Sequence, residues 1–254
     1  MVLWPDSLND HFHPEVAIAA VDVLEAAGFE VVLPRGSLCC GRPLYDYGML
    51  KLARRLLHQV LDGLRDEIRA GTPVVALEPS CGAVFRNELT NMLPDDGDAK
   101  RLARQTYTLG EFLAGPAKDW EMPRLERKAM VHFHCHQRAT SDTDCDRAVL
   151  DRLGLDYEIL DTGCCGLAGS FGYERGERYE VSIKAGERLL LPCVRDASPH
   201  TLVMTDGFSC RSQIEHGSER GALHLAQVVQ MALGDGPNGP SSPRPEERYA
   251  RLPR

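Results

Sequence analysis

Short apolar runs and longer amphipathic stretches alternate along the chain. Ala129–Phe133, Tyr157–Leu160 and Thr201–Thr205 read as strands, as does the run in TPVVALEPSCG (72–82). Tyr47–Arg69 sets Leu50, Ala53, Leu57, Leu61 and Leu64 on one helical face. Arg175–Arg195 is a second long helical stretch, ending near Pro199. Strands that alternate with helices predict an α/β chain whose parallel sheets are covered on both faces.

The pattern occurs twice. LEAAGFEVVLPRGSLCCG (24–41) and LDRLGLDYEILDTGCCG (150–166) each run from a helix end through a Gly stop and a short strand to Cys-Cys-Gly. Downstream, TPVVALEPSCG delivers Cys81 and HTLVMTDGFSC delivers Cys210, each at the end of a buried-strand pattern. Cys39 and Cys164 are 125 residues apart, and Cys81 and Cys210 are 129 apart. Near-equal offsets imply two copies of one α/β unit. The copies are expected at 1–115 and 129–233, joined by a linker at 116–128 rich in Pro and charge. Residues 234–254, rich in Pro, Gly and Arg, are expected to form a disordered tail.

Composition narrows the function classes. The 254 residues are 43% hydrophobic and 26% charged, an ordinary globular balance. The net charge of −8 offers no footprint for nucleic acid. No run of about 20 apolar residues is present, so no direct membrane insertion is expected. The N-terminal MVLWPDSLNDHF is neither basic nor apolar enough for a secretory signal, and a cytoplasmic location is expected.

Nine cysteines carry the chemistry. Two adjacent pairs are poor disulfides, because neighbouring Cα atoms lie only about 3.8 Å apart. In a reducing compartment, metal or redox chemistry is the better reading. Cys135, Cys164, Cys165 and Cys210 all follow predicted strands of the second copy. The C-terminal ends of parallel strands share one rim, where ligands bind. Four thiols there suit structural zinc or an iron–sulfur cluster. The glycines favour the cluster: Gly166, Gly169 and Gly172 let backbone N–H groups approach an anionic, thiolate-ligated group, and a helix N-terminus follows. Neither pair has the C-x2-4-C spacing of zinc knuckles.

CCGRPLYDYG, LEPSC, HCHQRA, GCCGLAGSFGYE and DGFSCR resemble the cysteine-rich CCG-domain proteins. These include the B subunit of heterodisulfide reductase, the Fe–S subunits of glycolate oxidase and anaerobic glycerol-3-phosphate dehydrogenase, and bacterial fused FAD-binding/Fe–S oxidoreductases of the D-lactate and glycolate dehydrogenase type. The resemblance spans about residues 2–233. It implies two tandem Rossmann-like CCG domains and an iron–sulfur electron-transfer component of a flavin-dependent 2-hydroxyacid oxidoreductase. The implied metal ligands are Cys135, Cys164, Cys165 and Cys210, with Cys39, Cys40 and Cys81 as the weaker set. Gly41, Gly166, Gly169 and Gly172 would line the cofactor. The family's five-cysteine, two-part cluster is not matched, because Val84 and Gln213 stand where its last cysteine falls, so a 4Fe–4S cluster is expected. In the first copy Ser7 replaces the counterpart of Cys135. No ferredoxin cysteine run and no FAD-binding region occur, which implies FAD on a partner chain and a dehydrogenase or ferredoxin-type Fe–S partner subunit. Two alternatives stand: a thiol–disulfide catalytic subunit, and a zinc-stabilised interaction module.

Other residues carry weaker readings. His134 and His136 flank Cys135 and suit packing beside the ligands more than ligation. Cys145 and Cys193 fall in helical stretches and read as buried spectators. Glu78 and Asp206 either bind substrate or make helix-facing hydrogen bonds. Arg42 and Arg211 either lower thiolate pKa values or pair with surface acids. Trp4 and Trp120 suggest packing.

Overall fold

The computed structural model describes residues 1–249. Six short strands form two parallel sheets. The first holds β1 (Val2–Trp4), β2 (Val74–Ala76) and β3 (Thr106–Tyr107) in the order β1-β2-β3. The second holds β4 (Lys128–Val131), β5 (Asp156–Ile159) and β6 (Leu202–Met204) in the order β5-β4-β6. Single bridges extend both: Val32 pairs with Val2 outside β1, and Leu223 pairs with Met204 outside β6. Each half therefore has its second, first, third and fourth extended segments side by side in that order. The internal repeat read from Cys-Cys-Gly is thus repeated in topology.

The helices repeat too. α1 (Ser7–His11) follows β1, and α2 (Pro14–Ala26) leads to the Val32 bridge. α3 (Pro79–Ala83) follows β2, and α4 (Leu109–Ala114) follows β3. Their counterparts are α5 (Cys135–Thr140), α6 (Thr143–Leu153), α8 (Phe208–Gly217) and α9 (Leu225–Asp235), with α7 (Glu177–Glu187) between α6 and α8. α4 and α9 both open on a capping box, Thr108/Glu111 and His224/Gln227, which satisfies two helix N–H groups reciprocally. α2 packs on α9, and α6 packs on α4, so each half covers the last helix of the other.

Strand alternation splits the core. Leu3 and Val75 join Val131, Leu202 and Val229 in a core shared by both halves. Their neighbours Val2, Trp4 and Val74 face a second core confined to the first half, where Trp4 meets the edge of Phe85 at 4.8 Å. Met130 and Val203 face a third core, confined to the second half. Successive side chains on a strand point to opposite faces, so a three-residue strand serves two cores. Trp120, the other tryptophan, packs partly buried against the shared core.

Three expectations are corrected. Tyr47–Arg69 is not one helix. It begins at Leu50, stops at Gly63 where Leu38 packs against the glycine, and restarts as Arg65–Ala70. Leu64 sits between at φ −111°, outside helical values, while keeping the apolar period. Arg175–Arg195 likewise divides into α7 and Leu190–Asp196, with Leu189 at φ −151°, outside helical values, between them. The third concerns the tail. Residues 234–249 pack onto the second half instead of remaining disordered; residues 250–254 of the expected tail lie outside the described residues. Glu246 forms a buried ion pair with Arg220, and Arg127 donates to the Pro240 carbonyl at 2.6 Å. The stretch at 116–128 holds no helix and, apart from the start of β4 at Lys128, no strand; Ala117, Met122 and Leu125 tuck into the shared core.

Arg86 links the halves. Its guanidinium donates to Glu111 at the start of α4, to the Thr106 carbonyl, and to the Thr140 carbonyl and Ser141 hydroxyl of the second half. Burial alone raises the Glu111 pKa, but the hydrogen bonds from Arg86 and from the Thr108 and Asp142 N–H groups outweigh it and hold it below 4.5. A depressed carboxylate contributes stability that is present above its unfolded pKa and lost as pH falls through the folded value. Glu111→Gln should therefore flatten the decline of unfolding free energy below about pH 4.5, measured by urea titration at stepped pH. An unchanged decline contradicts this pairing.

Candidate metal centre at the strand ends

Each cysteine of the second copy is delivered by a strand end. Cys135 is the first residue of α5, two residues beyond the Phe133 that ends the sequence-predicted strand. Cys164 and Cys165 follow β5, and Cys210 lies in the first turn of α8 behind β6. Side-chain contacts join the four in a row: Cys135 to Cys164, Cys164 to Cys165, and Cys165 to Cys210. Cys135 and Cys164 reach solvent, whereas Cys165 and Cys210 are buried in the core of the second half. The structure thus brings together all four residues read from the sequence.

Their protons are shared unequally. Contact from Cys135, Cys165 and the Gly166 N–H holds Cys164 far below the usual thiol range. Contact from Cys165 and His132 does the same for Cys210. Their neighbours move the other way: contact with Cys164 and burial raise Cys135, and contacts with Cys164 and Cys210 raise Cys165. Within the row, Cys164 and Cys210 are thus the sulfurs that favour the thiolate, and Cys135 and Cys165 the ones that favour the thiol. Metal ligation needs the thiolate form, so the row is already partly prepared for it.

The first copy repeats the geometry with one sulfur missing. Ser7 is the first residue of α1, as Cys135 is of α5, and its hydroxyl reaches Cys39. The N-cap residues of these two helices also correspond, Asp6 and His134. Cys40 Sγ lies 2.9 Å from Cys81 Sγ, both buried. Here all three thiols are shifted upward. Cys39 is raised by contact with Cys40 and by burial. For Cys40, contact with Cys39 favours the thiolate, but contact with Cys81 and burial prevail. For Cys81, contact with Cys40 favours the thiolate, but burial and the charges of Asp6 and Glu78 prevail.

The glycines have two distinct jobs. The Gly166 N–H donates to Cys164 Sγ at 3.4 Å, and the Gly41 N–H donates to Cys39 Sγ at 3.5 Å. Both take left-handed backbone, φ +101° and +80°. Gly166 and Gly172 also carry the close approach of α7: a Cβ on Gly166 would meet the Ser182 carbonyl at 2.2 Å, and one on Gly172 the Ser182 hydroxyl at 2.3 Å. Gly169 is open on all sides.

His132 is the site residue that sequence reasoning missed. It directly follows β4, is buried, shares a hydrogen bond with Thr162 Oγ1 at 2.8 Å through Nδ1, and lies against Cys210. His134 instead caps α5, its Nδ1 accepting from the His136 N–H at 3.2 Å, and its ring packs on Gly207. Burial, with the charges of Arg42 and His134, lowers the His136 pKa to about 4.

The remaining candidates resolve structurally. Glu78 caps α3, accepting from Ser80, and also accepts from the Phe208 N–H across the two halves at 2.8 Å. Asp206 accepts from the Leu225 N–H that opens α9. Arg42 pairs with Asp46 and Glu88. Arg211 is buried, not on the surface, and donates to Asn9 at 2.8 Å. Cys145 and Cys193 are half-exposed rather than buried and stand outside the row.

An all-sulfur donor row with backbone N–H groups on its sulfurs matches the ligand chemistry of an iron–sulfur cluster. Among the described residues, no three His, Cys, Asp or Glu side chains are arranged to hold a single metal ion. No helix among them is long and apolar enough to cross a membrane.

A family model described as a cysteine-rich domain, CCG, matches residues 6–86. Lactate utilization protein A of Geobacillus kaustophilus is 32% identical over 183 residues, covering 68% of this chain and 74% of that protein. Lactate utilization protein A of Bacillus licheniformis is 28% identical over 243 residues, 89% of this chain and 97% of the relative. In Escherichia coli K12, the C subunit of the anaerobic glycerol-3-phosphate dehydrogenase is 29% identical over 225 residues, 87% of this chain but 56% of that protein.

Proposed function

The chain belongs to the cysteine-rich CCG family that includes lactate utilization protein A, and we propose on that footing that its second half carries an iron–sulfur cluster on Cys135, Cys164, Cys165 and Cys210. The role proposed is the electron-transfer component of a flavin-dependent 2-hydroxyacid dehydrogenase of the lactate or glycolate type, with FAD on a partner subunit. One observation carries this reading: four thiols from three strand ends form a single row of contacts. When bound, such a cluster accepts and releases electrons one at a time.

The chain's own residues supply the setting. Cys164 and Cys210 favour the thiolate, and Cys135 and Cys165, which favour the thiol, must lose their protons on ligation. The Gly166 N–H, on Cys164, stabilises negative charge at the site. Leu160, Leu167 and Ile214 wall the buried sulfurs from water. Cys135 and Cys164 leave the site an exposed edge toward an electron partner.

The test is reconstitution. Oxygen-free, iron-loaded chain should lose visible absorbance only when both a FAD-containing 2-hydroxyacid dehydrogenase and its substrate are present. Bleaching without the flavoprotein, or none with it, contradicts the proposal. A second reading concerns the first half, where the 2.9 Å contact of Cys40 and Cys81 favours thiol–disulfide chemistry. It predicts disulfide-dependent turnover that survives loss of Cys164.

A further inference from the structure

A small cavity lies between β4, β6 and the helices α5, α6 and α9. Among its lining residues are His132, Gln137, Asp146, Thr205 and Asp206. Three buried polar atoms of this lining lack any hydrogen-bond partner: His132 Nε2, Asp146 Oδ2 and Thr205 Oγ1. The residues are 1%, 3% and 2% exposed, so bulk water does not reach them. Unpaired buried polar atoms are costly, and three in one place need an explanation. The cavity offers about 20 Å³, room for one water molecule and too little for an organic ligand.

We propose that this cavity binds one internal water molecule, held by His132, Asp146 and Thr205. A hydroxyl, a carboxyl and an imidazole nitrogen give it both donors and acceptors. Burial and the nearby Asp206 favour the protonated form of Asp146, which makes its carboxyl a donor as well.

The water ties His132 to α6 and β6, while Thr162 holds the other face of the ring. His132 is thereby fixed against Cys210. That consequence rests on the proposed role of Cys210; the water site does not.

Two measurements test the site. A high-resolution crystal structure of the chain should place a density peak within hydrogen-bond distance of at least two of the three atoms. Thr205→Val, which keeps the shape and removes the hydroxyl, should lower the melting temperature by about 2–4 °C. A dry cavity, direct pairing of the three atoms, or a melting temperature unchanged or raised in the valine variant overturns the proposal. Iron content measured on the same samples reports on the cluster separately, so either reading can fail without the other.

Discussion

Cys164→Ala should strip iron and acid-labile sulfide from the second half while leaving the fold intact. Cys164 occupies the middle of the thiol row, touching both Cys135 and Cys165, and takes the Gly166 N–H. Its removal takes away one proposed ligand, the exposed sulfur of the row that favours the thiolate. Outer partners of metal ligands alone are worth about 10–100-fold in affinity, so loss of a ligand at this position should be near complete. The side chain is exposed, so alanine leaves little cavity and far-ultraviolet circular dichroism should be unchanged. Cys193→Ala, outside the row, is the control and should retain full iron. A Cys164→Ala protein with undiminished iron and an unaltered visible spectrum would remove this residue from the site.

The second large effect is expected at Gly166. An alanine Cβ there would stand 2.2 Å from the Ser182 carbonyl, a backbone atom of α7 that has no freedom to swing away. The backbone is also left-handed at φ +101°, where a side chain is strained. Overpacking costs about 1–3 kcal/mol and backbone strain about 1–3 kcal/mol, so Gly166→Ala should lose about 2–6 kcal/mol in urea unfolding. Iron binding should weaken too, because the N–H on Cys164 moves with the displaced backbone. Gly169→Ala is the internal comparison. It has left-handed backbone but open surroundings, and should cost no more than about 1–2 kcal/mol. Equal stabilities of the two variants would refute the close packing of α7 on the loop.

The contrast between those glycines explains what was legible in the sequence. Spacing alone placed Cys135, Cys164, Cys165 and Cys210 at strand ends, because parallel sheets put their C-terminal ends on one rim. It also placed Gly166, Gly169 and Gly172 near the site. It gave no hint that Ser182, far along the chain, makes Gly166 and Gly172 necessary. The break at Leu64 was hidden because leucine there keeps the apolar period while leaving helical backbone. The tail read as disordered because its anchors are few and distant: Arg220 for Glu246, and Gln227 for the Tyr249 carbonyl. Composition counts apolar residues and does not see one buried ion pair. His132 was passed over beside the more conspicuous His134 and His136.

The most direct measurement is iron, zinc and acid-labile sulfide per chain, with electron paramagnetic resonance of the reduced sample, on protein purified without oxygen. About four irons and four sulfides per chain, reducible by one electron, are predicted for the second half alone. About twice that would add a loaded first half. One zinc per chain with no acid-labile sulfide would contradict the electron-transfer account and leave the cysteine row a structural zinc site.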